Sequence, residues 1–169
     1  MCDRLPRLSQ VDRLPALVAE VSDRIQVADT DLSGMIYFDR YYRRAEAGYS
    51  ELMRAVGVSF REMMSERFVT PAVSSRCDYV APVRLDDLIR QVAFVSHIGN
   101  RSFTSDHHFL REDGEQAAVV RITRAIIDRA SWKTVAIGEV IERAPGSNLA
   151  RFLKEISRDL EAGRSPGPA

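Results

Sequence analysis

The residue types best suited to chemistry cluster in one short stretch, Asp29-Thr30-Asp31-Leu32-Ser33-Gly34. Carboxylates shortly before a helix often serve only as caps, accepting hydrogen bonds from its first N–H groups. Asp31 lies seven residues before Phe38, where the helical pattern begins, and that is too far to cap it. Gly34 permits a backbone turn that a side chain would obstruct. The loop can therefore fold back and leave the Asp31 carboxylate facing the helix N-terminus. The unsatisfied N–H groups there carry roughly half a positive charge and suit an oxygen that becomes negative during a reaction. Asp29 reads as a turn former that hydrogen-bonds locally. A second acid, Glu46, stands inside the helix beside the apolar stripe, where pairing with Arg43 or solvent is its bland reading.

Positioning this loop requires a strand before it and a helix after it. Ile25 and Val27 alternate with Arg24 and Gln26, the two-residue period of a strand over 23–29. Phe38, Tyr41, Tyr42, Ala45, Tyr49, Leu52, Met53 and Val56 recur at helical spacing, with Gly57 as the stop. Strands are expected from Val73 toward Pro82, over 88–98, over 102–110 and over 117–127, with Gly99-Asn100 and Asp113-Gly114 as hairpin turns. A short run over 132–137 is expected to add an edge strand or to extend the last one. A final amphipathic helix, capped by Ser147, runs over 148–162 with Leu149, Phe152, Leu153, Ile156 and Leu160 on one face. One long helix with one apolar stripe calls for one antiparallel sheet to cover it. That is an α+β architecture of the kind called a hotdog fold. The expected divisions are a loose arm over 1–19, the main domain over 20–145, a C-terminal helix over 146–163 and a disordered tail over 164–169. A sheet of this sort leaves an edge and an outer face open, which favours self-association.

Composition sets the outer bounds. The 169 residues carry 24 basic and 24 acidic side chains, a formal net charge of zero, so the net basic character of a nucleic-acid binder is missing. The two cysteines, Cys2 and Cys77, cannot make a disulfide framework and point to a reducing cytoplasm. No apolar run approaches the roughly 20 residues of a membrane helix, so no membrane partner is expected. His97, His107 and His108 lack metal-site spacing, and no glycine-rich phosphate loop is present, so neither metal nor nucleotide cofactor is expected.

The run V-A-D-T-D-L-S-G-M-I-Y-F-D-R-Y-Y-R-R-A-E-A resembles the signature of the 4-hydroxybenzoyl-CoA thioesterase family, and the likeness continues through V-T-P-A-V-S, Y-V-A-P-V-R-L-D-D-L and N-R-S-F-T. It resembles the Pseudomonas-type branch in particular. That resemblance implies a hotdog-fold acyl-CoA thioesterase, homodimeric or homotetrameric, with sites at subunit contacts. It implies Asp31 as the catalytic acid and the backbone N–H of Phe38 as the group that polarises the thioester carbonyl; since other hotdog thioesterases use an acid on the helix, Glu46 is the alternative acid. It also implies substrate contacts at Phe60, Thr70, Pro71, Ala72 and Arg101, whereas Gly99 and Asn100 replace basic residues of the family. Asp31 could attack the carbonyl directly or deprotonate a water. The substrate implied first is 4-hydroxybenzoyl-CoA; aliphatic, arylacetyl and naphthoyl thioesters, or a non-catalytic module that binds acyl thioesters, are the alternatives. A hydratase on the same scaffold would need a histidine near the helix, and none precedes Ser96.

Overall fold

The computed structural model describes residues 4–164. In chain order the elements are β1 (Val18–Arg24), α1 (Asp39–Ala55), α2 (Phe60–Met63), β2 (Phe68–Val69), β3 (Ala72–Tyr79), β4 (Leu88–Ile98), β5 (Ser102–Arg111), β6 (Gln116–Ala125), β7 (Ile127–Asp128), β8 (Lys133–Thr134), α3 (Ile137–Arg143) and α4 (Asn148–Arg164). The main sheet has the order β1-β4-β5-β6-β3 and is antiparallel throughout. β2, β7 and β8 form a small second sheet. Helix α1 buries Tyr41, Ala45, Tyr49, Leu52 and Met53 of the expected stripe, with Gly48, against the main sheet, whereas Phe38, expected in that stripe, stands exposed at the N-cap and Val56 lies just past the last turn. An antiparallel sheet wrapped round one long helix is the hotdog fold.

The core falls into two apolar clusters along α1. One gathers Leu52, Met53 and Phe103 with Phe152 and Leu153 of α4; the other gathers Tyr41, Ala45, Ile89, Phe109 and Val120. Between them the helix presents Gly48, and buried Gln91, Ser105 and His107 form a polar layer. Gln91 Nε2 lies 3.0 Å from His107 Nδ1, and His107 Nε2 lies 2.9 Å from Ser105 Oγ. Burial pushes the His107 imidazole down to about pKa 3, so it is neutral at pH 7. The α4 N-terminus is capped twice. Ser147 Oγ accepts from the Ala150 N–H at 3.1 Å, and the Glu66 carboxylate accepts from the Asn148 and Leu149 N–H groups at 2.6 and 3.2 Å.

Three expectations need correction. The first strand occupies Val18–Arg24, not 23–29, because Val18 pairs with Phe94 and Arg24 with Leu88 on β4. Val27–Asp29 is instead a 3-10 turn, closed by the Asp29 carboxylate accepting from the Gln26 N–H at 3.0 Å. The arm is docked rather than loose: Leu5 is buried, the Leu8 N–H donates to Gln116 Oε1 at 2.7 Å, and Asp159 accepts from the Ala16 and Leu17 N–H groups at 2.7 and 2.8 Å. Finally, the edge strand expected over 132–137 shrinks to Lys133–Thr134, since Trp132 adopts φ +53° and Ile137 opens α3. The expected tail lies outside the described residues except for Arg164, which ends α4. Among the described residues no helix is long and apolar enough to cross a membrane.

Candidate active site

The loop between β1 and α1 closes on itself. Thr30 bridges to Ile36, the Asp31 N–H donates to the Met35 carbonyl at 2.9 Å, and the Gly34 N–H returns to the Asp31 carbonyl at 3.0 Å. Gly34 makes the reversal at φ +73°, a conformation that favours glycine. Hydrogen bonds from Ile36 to Val83 and from Leu85 to Gly34 tie the loop to the segment before β4. On its other side Arg44 of α1 grips it: Nη2 lies 2.9 Å from both Asp29 and Asp23 carboxylate oxygens, and Nη1 lies 3.2 Å from Asp29. Asp29 is thus a turn former, as expected, and also an anchor. The Arg44 guanidinium holds the Asp29 carboxyl below the usual carboxylate range.

This frame leaves Asp31 exposed at the mouth of a cleft of about 420 Å³, lined by Asp31, Ile36, Phe38, Tyr41, Tyr79 and Val83 among others. One Asp31 oxygen accepts from the Ser33 hydroxyl at 2.5 Å and from the Ser33 N–H at 2.8 Å. These two donors hold the Asp31 carboxyl below its ordinary value, so it is ionised at neutral pH. Phe38 stands at the α1 N-cap position with φ −56° and ψ −34°, and no side chain caps the helix. None of the described residues accepts from the Phe38 N–H. Asp31 and Phe38, the one with an ionised carboxylate and the other with an N–H free of partners among the described residues, therefore both line one largely apolar cleft.

The remaining candidates lie elsewhere in the protomer. Register pairs Ala72 with Arg124 at one end of β3 and Tyr79 with Ala118 at the other, a separation of roughly 23 Å at strand rise. Thr70, Pro71 and Ala72 belong to the far end, as does Arg101 in the turn between β4 and β5. Phe60 joins them through Tyr49, whose ring meets it edge-on at 5.5 Å and whose hydroxyl lies 3.1 Å from Thr70 Oγ1. Glu46 faces this group: it pairs with Arg124, not Arg43, and the same guanidinium lies over the Tyr49 ring at 4.1 Å and donates to the Thr70 carbonyl at 3.3 Å. Glu46 stands roughly 12 Å along the helix axis from Phe38.

Sequence reasoning missed Ser33, Arg44, Tyr79 and Arg124, and placed Tyr41 only in the core stripe. Ser33 had a readable signal, since a serine two residues after an aspartate commonly closes on its carboxylate. Arg44 and Arg124 depend on cross-element contacts that no local spacing encodes.

The sequence model of the Thioesterase-like superfamily matches residues 25–144 of this chain. The chain is 24% identical over 139 residues to a 1,4-dihydroxy-2-naphthoyl-CoA hydrolase of Prochlorococcus marinus (strain MIT 9515), covering 78% of this chain and 92% of that protein. It is also 24% identical over 123 residues to the acyl-CoA thioesterase YbgC of Haemophilus influenzae, covering 72% and 89%. In fold it is similar to a DHNA-CoA thioesterase from Staphylococcus aureus, with a TM-score of 0.75 at 15% identity over 88% of this chain and 97% of that one. The expected 4-hydroxybenzoyl branch is thereby widened: these relatives bear the names of naphthoyl and general acyl thioesterases. The family match over residues 25–144, on a chain whose antiparallel sheet wraps one long helix, places this protein in the Thioesterase-like superfamily.

Proposed function

We propose that this enzyme hydrolyses acyl-CoA thioesters with an aromatic acyl group, a naphthoyl thioester ahead of 4-hydroxybenzoyl-CoA. The observation that carries this reading is the ionised Asp31 carboxylate and the unengaged Phe38 N–H on one cleft. The N–H polarises the thioester carbonyl and receives its developing negative charge. Asp31 attacks the carbonyl carbon, expelling coenzyme A thiolate and leaving a mixed anhydride that water opens; activation of water by Asp31 is the alternative with the same groups. Thiolate is a good leaving group, so one carboxylate and one or two N–H donors suffice. Glu46 is a poorer candidate, because Arg124 already holds its carboxylate.

The site is completed by a second copy of the chain. Leu32, Tyr37, Phe38 and Tyr79 leave apolar surface exposed around the cleft mouth, and β3 is a free sheet edge. A copy seated there would bring its own 70–72 segment toward this cleft, joining the two groups that one protomer keeps apart. Arg101 is then a candidate for the phosphate end of coenzyme A, suited by its bidentate fork.

The test is release of free thiol from 1,4-dihydroxy-2-naphthoyl-CoA, 4-hydroxybenzoyl-CoA and an aliphatic acyl-CoA. Asp31→Asn is expected to lower turnover by roughly a hundredfold or more, about 2.7 kcal/mol of transition-state stabilisation, with circular dichroism unchanged. Near-normal rates in Asp31→Asn, with loss in Glu46→Gln, would transfer the role to Glu46. A native chain that releases thiol from none of the panel would favour a binding module.

A further inference from the structure

The cleft holds a polar group that the hydrolytic chemistry leaves unused. Tyr41 sits three residues after Phe38, on the first turn of α1, and side chains in a helix lean back toward its N-terminus. Its ring is wedged edge-on between Tyr79 at 5.6 Å and Phe109 at 5.2 Å. The residue is 2% exposed, the most buried polar side chain lining the cleft. Its hydroxyl nevertheless has no hydrogen-bond partner among the described residues, and the residue lines the cleft. Buried tyrosine hydroxyls usually find a partner, and one left without a partner on a residue that lines an apolar cleft points to a ligand atom. Burial also raises the phenol above its ordinary titration range, so at neutral pH it is a permanent O–H donor.

The order of exposure along the cleft says which ligand atom. Asp31 and Phe38 are exposed at the rim, so the thioester carbonyl reacts there, and the acyl group beyond it is the part that reaches Tyr41. The lining between them is aliphatic and aromatic. We infer that Tyr41 is a specificity-determining residue: its hydroxyl hydrogen-bonds an oxygen substituent on the acyl ring and selects oxygenated aromatic thioesters over their plain hydrocarbon counterparts. This rests on the thioesterase reading above and deepens it. A hydrocarbon ring entering the cleft would shut water out and leave the hydroxyl unpaired, which is how a site built for an O–H contact rejects the analogue lacking it.

The experiment compares kcat/KM for 1-hydroxy-2-naphthoyl-CoA and 2-naphthoyl-CoA in the native enzyme and in Tyr41→Phe, which removes one oxygen and keeps the ring packing. The native enzyme is expected to prefer the hydroxylated substrate by about tenfold or more. Tyr41→Phe should lose activity on the hydroxylated substrate and hold or gain on the plain one, so that the preference of about tenfold disappears. An equal loss on both substrates would mean that the hydroxyl serves the reacting carbonyl or the fold, and an unchanged preference would mean that it touches nothing; either overturns the inference. Calorimetric binding of 1-hydroxy-2-naphthoate and 2-naphthoate to both proteins gives a readout independent of turnover. A preference for the hydroxylated acid that vanishes in Tyr41→Phe supports the inference even if neither thioester is cleaved, an outcome that would sink only the hydrolytic reading. Equal affinities of the native chain for the two acids overturn it.

Discussion

At the scale of single residues, the state of Asp31 is set by its immediate neighbour. The Ser33 hydroxyl and N–H both donate to the carboxylate, favouring its charged form and lowering its proton affinity. If ionised Asp31 drives hydrolysis, activity is level through neutral pH and falls only on the acid side, as the carboxylate takes up a proton. Ser33→Ala removes the larger of the two donors, which raises the carboxyl pKa and moves that acid limb to higher pH. The measurement is kcat/KM against pH for the native and Ser33→Ala enzymes. An acid limb that stays in place would show that protonation of some other group limits the rate. Glu46 illustrates the opposite arrangement, an acid whose charge is committed, before any substrate arrives, to a buried arginine that itself lies over the Tyr49 ring.

At the scale of elements, the seating of α1 on the sheet depends on Gly48. A methyl group there would lie 2.1 Å from Gln91 Nε2, 2.7 Å from its Cδ and 3.1 Å from the Ala93 Cβ. Gln91 cannot swing aside cheaply, because its amide is the partner of the fully buried His107. Gly48→Ala is therefore expected to destabilise the fold by about 1–3 kcal/mol, despite the better helix propensity of alanine. Urea unfolding measures this. In a Gln91→Ala background, where the obstructing side chain is gone, the same substitution should cost less; an identical cost in both backgrounds would show that the helix does not rest on this contact. The spacing matters for function because α1 carries Phe38 at one end and Glu46 in its middle. The loop after β1 is also tied to the helix by Arg44, which pairs with Asp23 and Asp29.

At the scale of the whole molecule, the main sheet has two differently treated exposures. Its outer face is crossed by the N-terminal segment, whose backbone is held by Asp78, Gln116 and Asp159. Its β3 edge is open, and β3 is mostly exposed along its first half. The open edge and the apolar rim of the cleft lie together at Tyr79, which belongs to both. Light scattering in solution is accordingly expected to give twice the mass of one chain or a multiple of that. A monomer that releases thiol at full rate would show that the cleft of one protomer is sufficient and that no second copy completes it.

The amino-acid sequence alone determined the long helix, the runs of β3 to β6 with the two hairpin turns among them, the final helix and its serine cap, because periodic burial and turn residues are local properties of the chain. It also singled out Asp31, since the distance from that residue to the helix start could be counted directly. The true start of β1 was not legible: Val18 and Ala19 look like arm residues until β4 supplies their partners. Nor was the division of the candidate residues, because whether Thr70 or Asp31 faces a given cavity depends on which end of an antiparallel strand each occupies. Only the tertiary structure decided that Arg124 takes Glu46, that Arg44 takes Asp29, and that the Tyr41 hydroxyl is left without a partner. Each of these pairings, or its absence, is a balance between desolvation and contact among residues far apart in the chain, and such a balance exists only once the elements have packed.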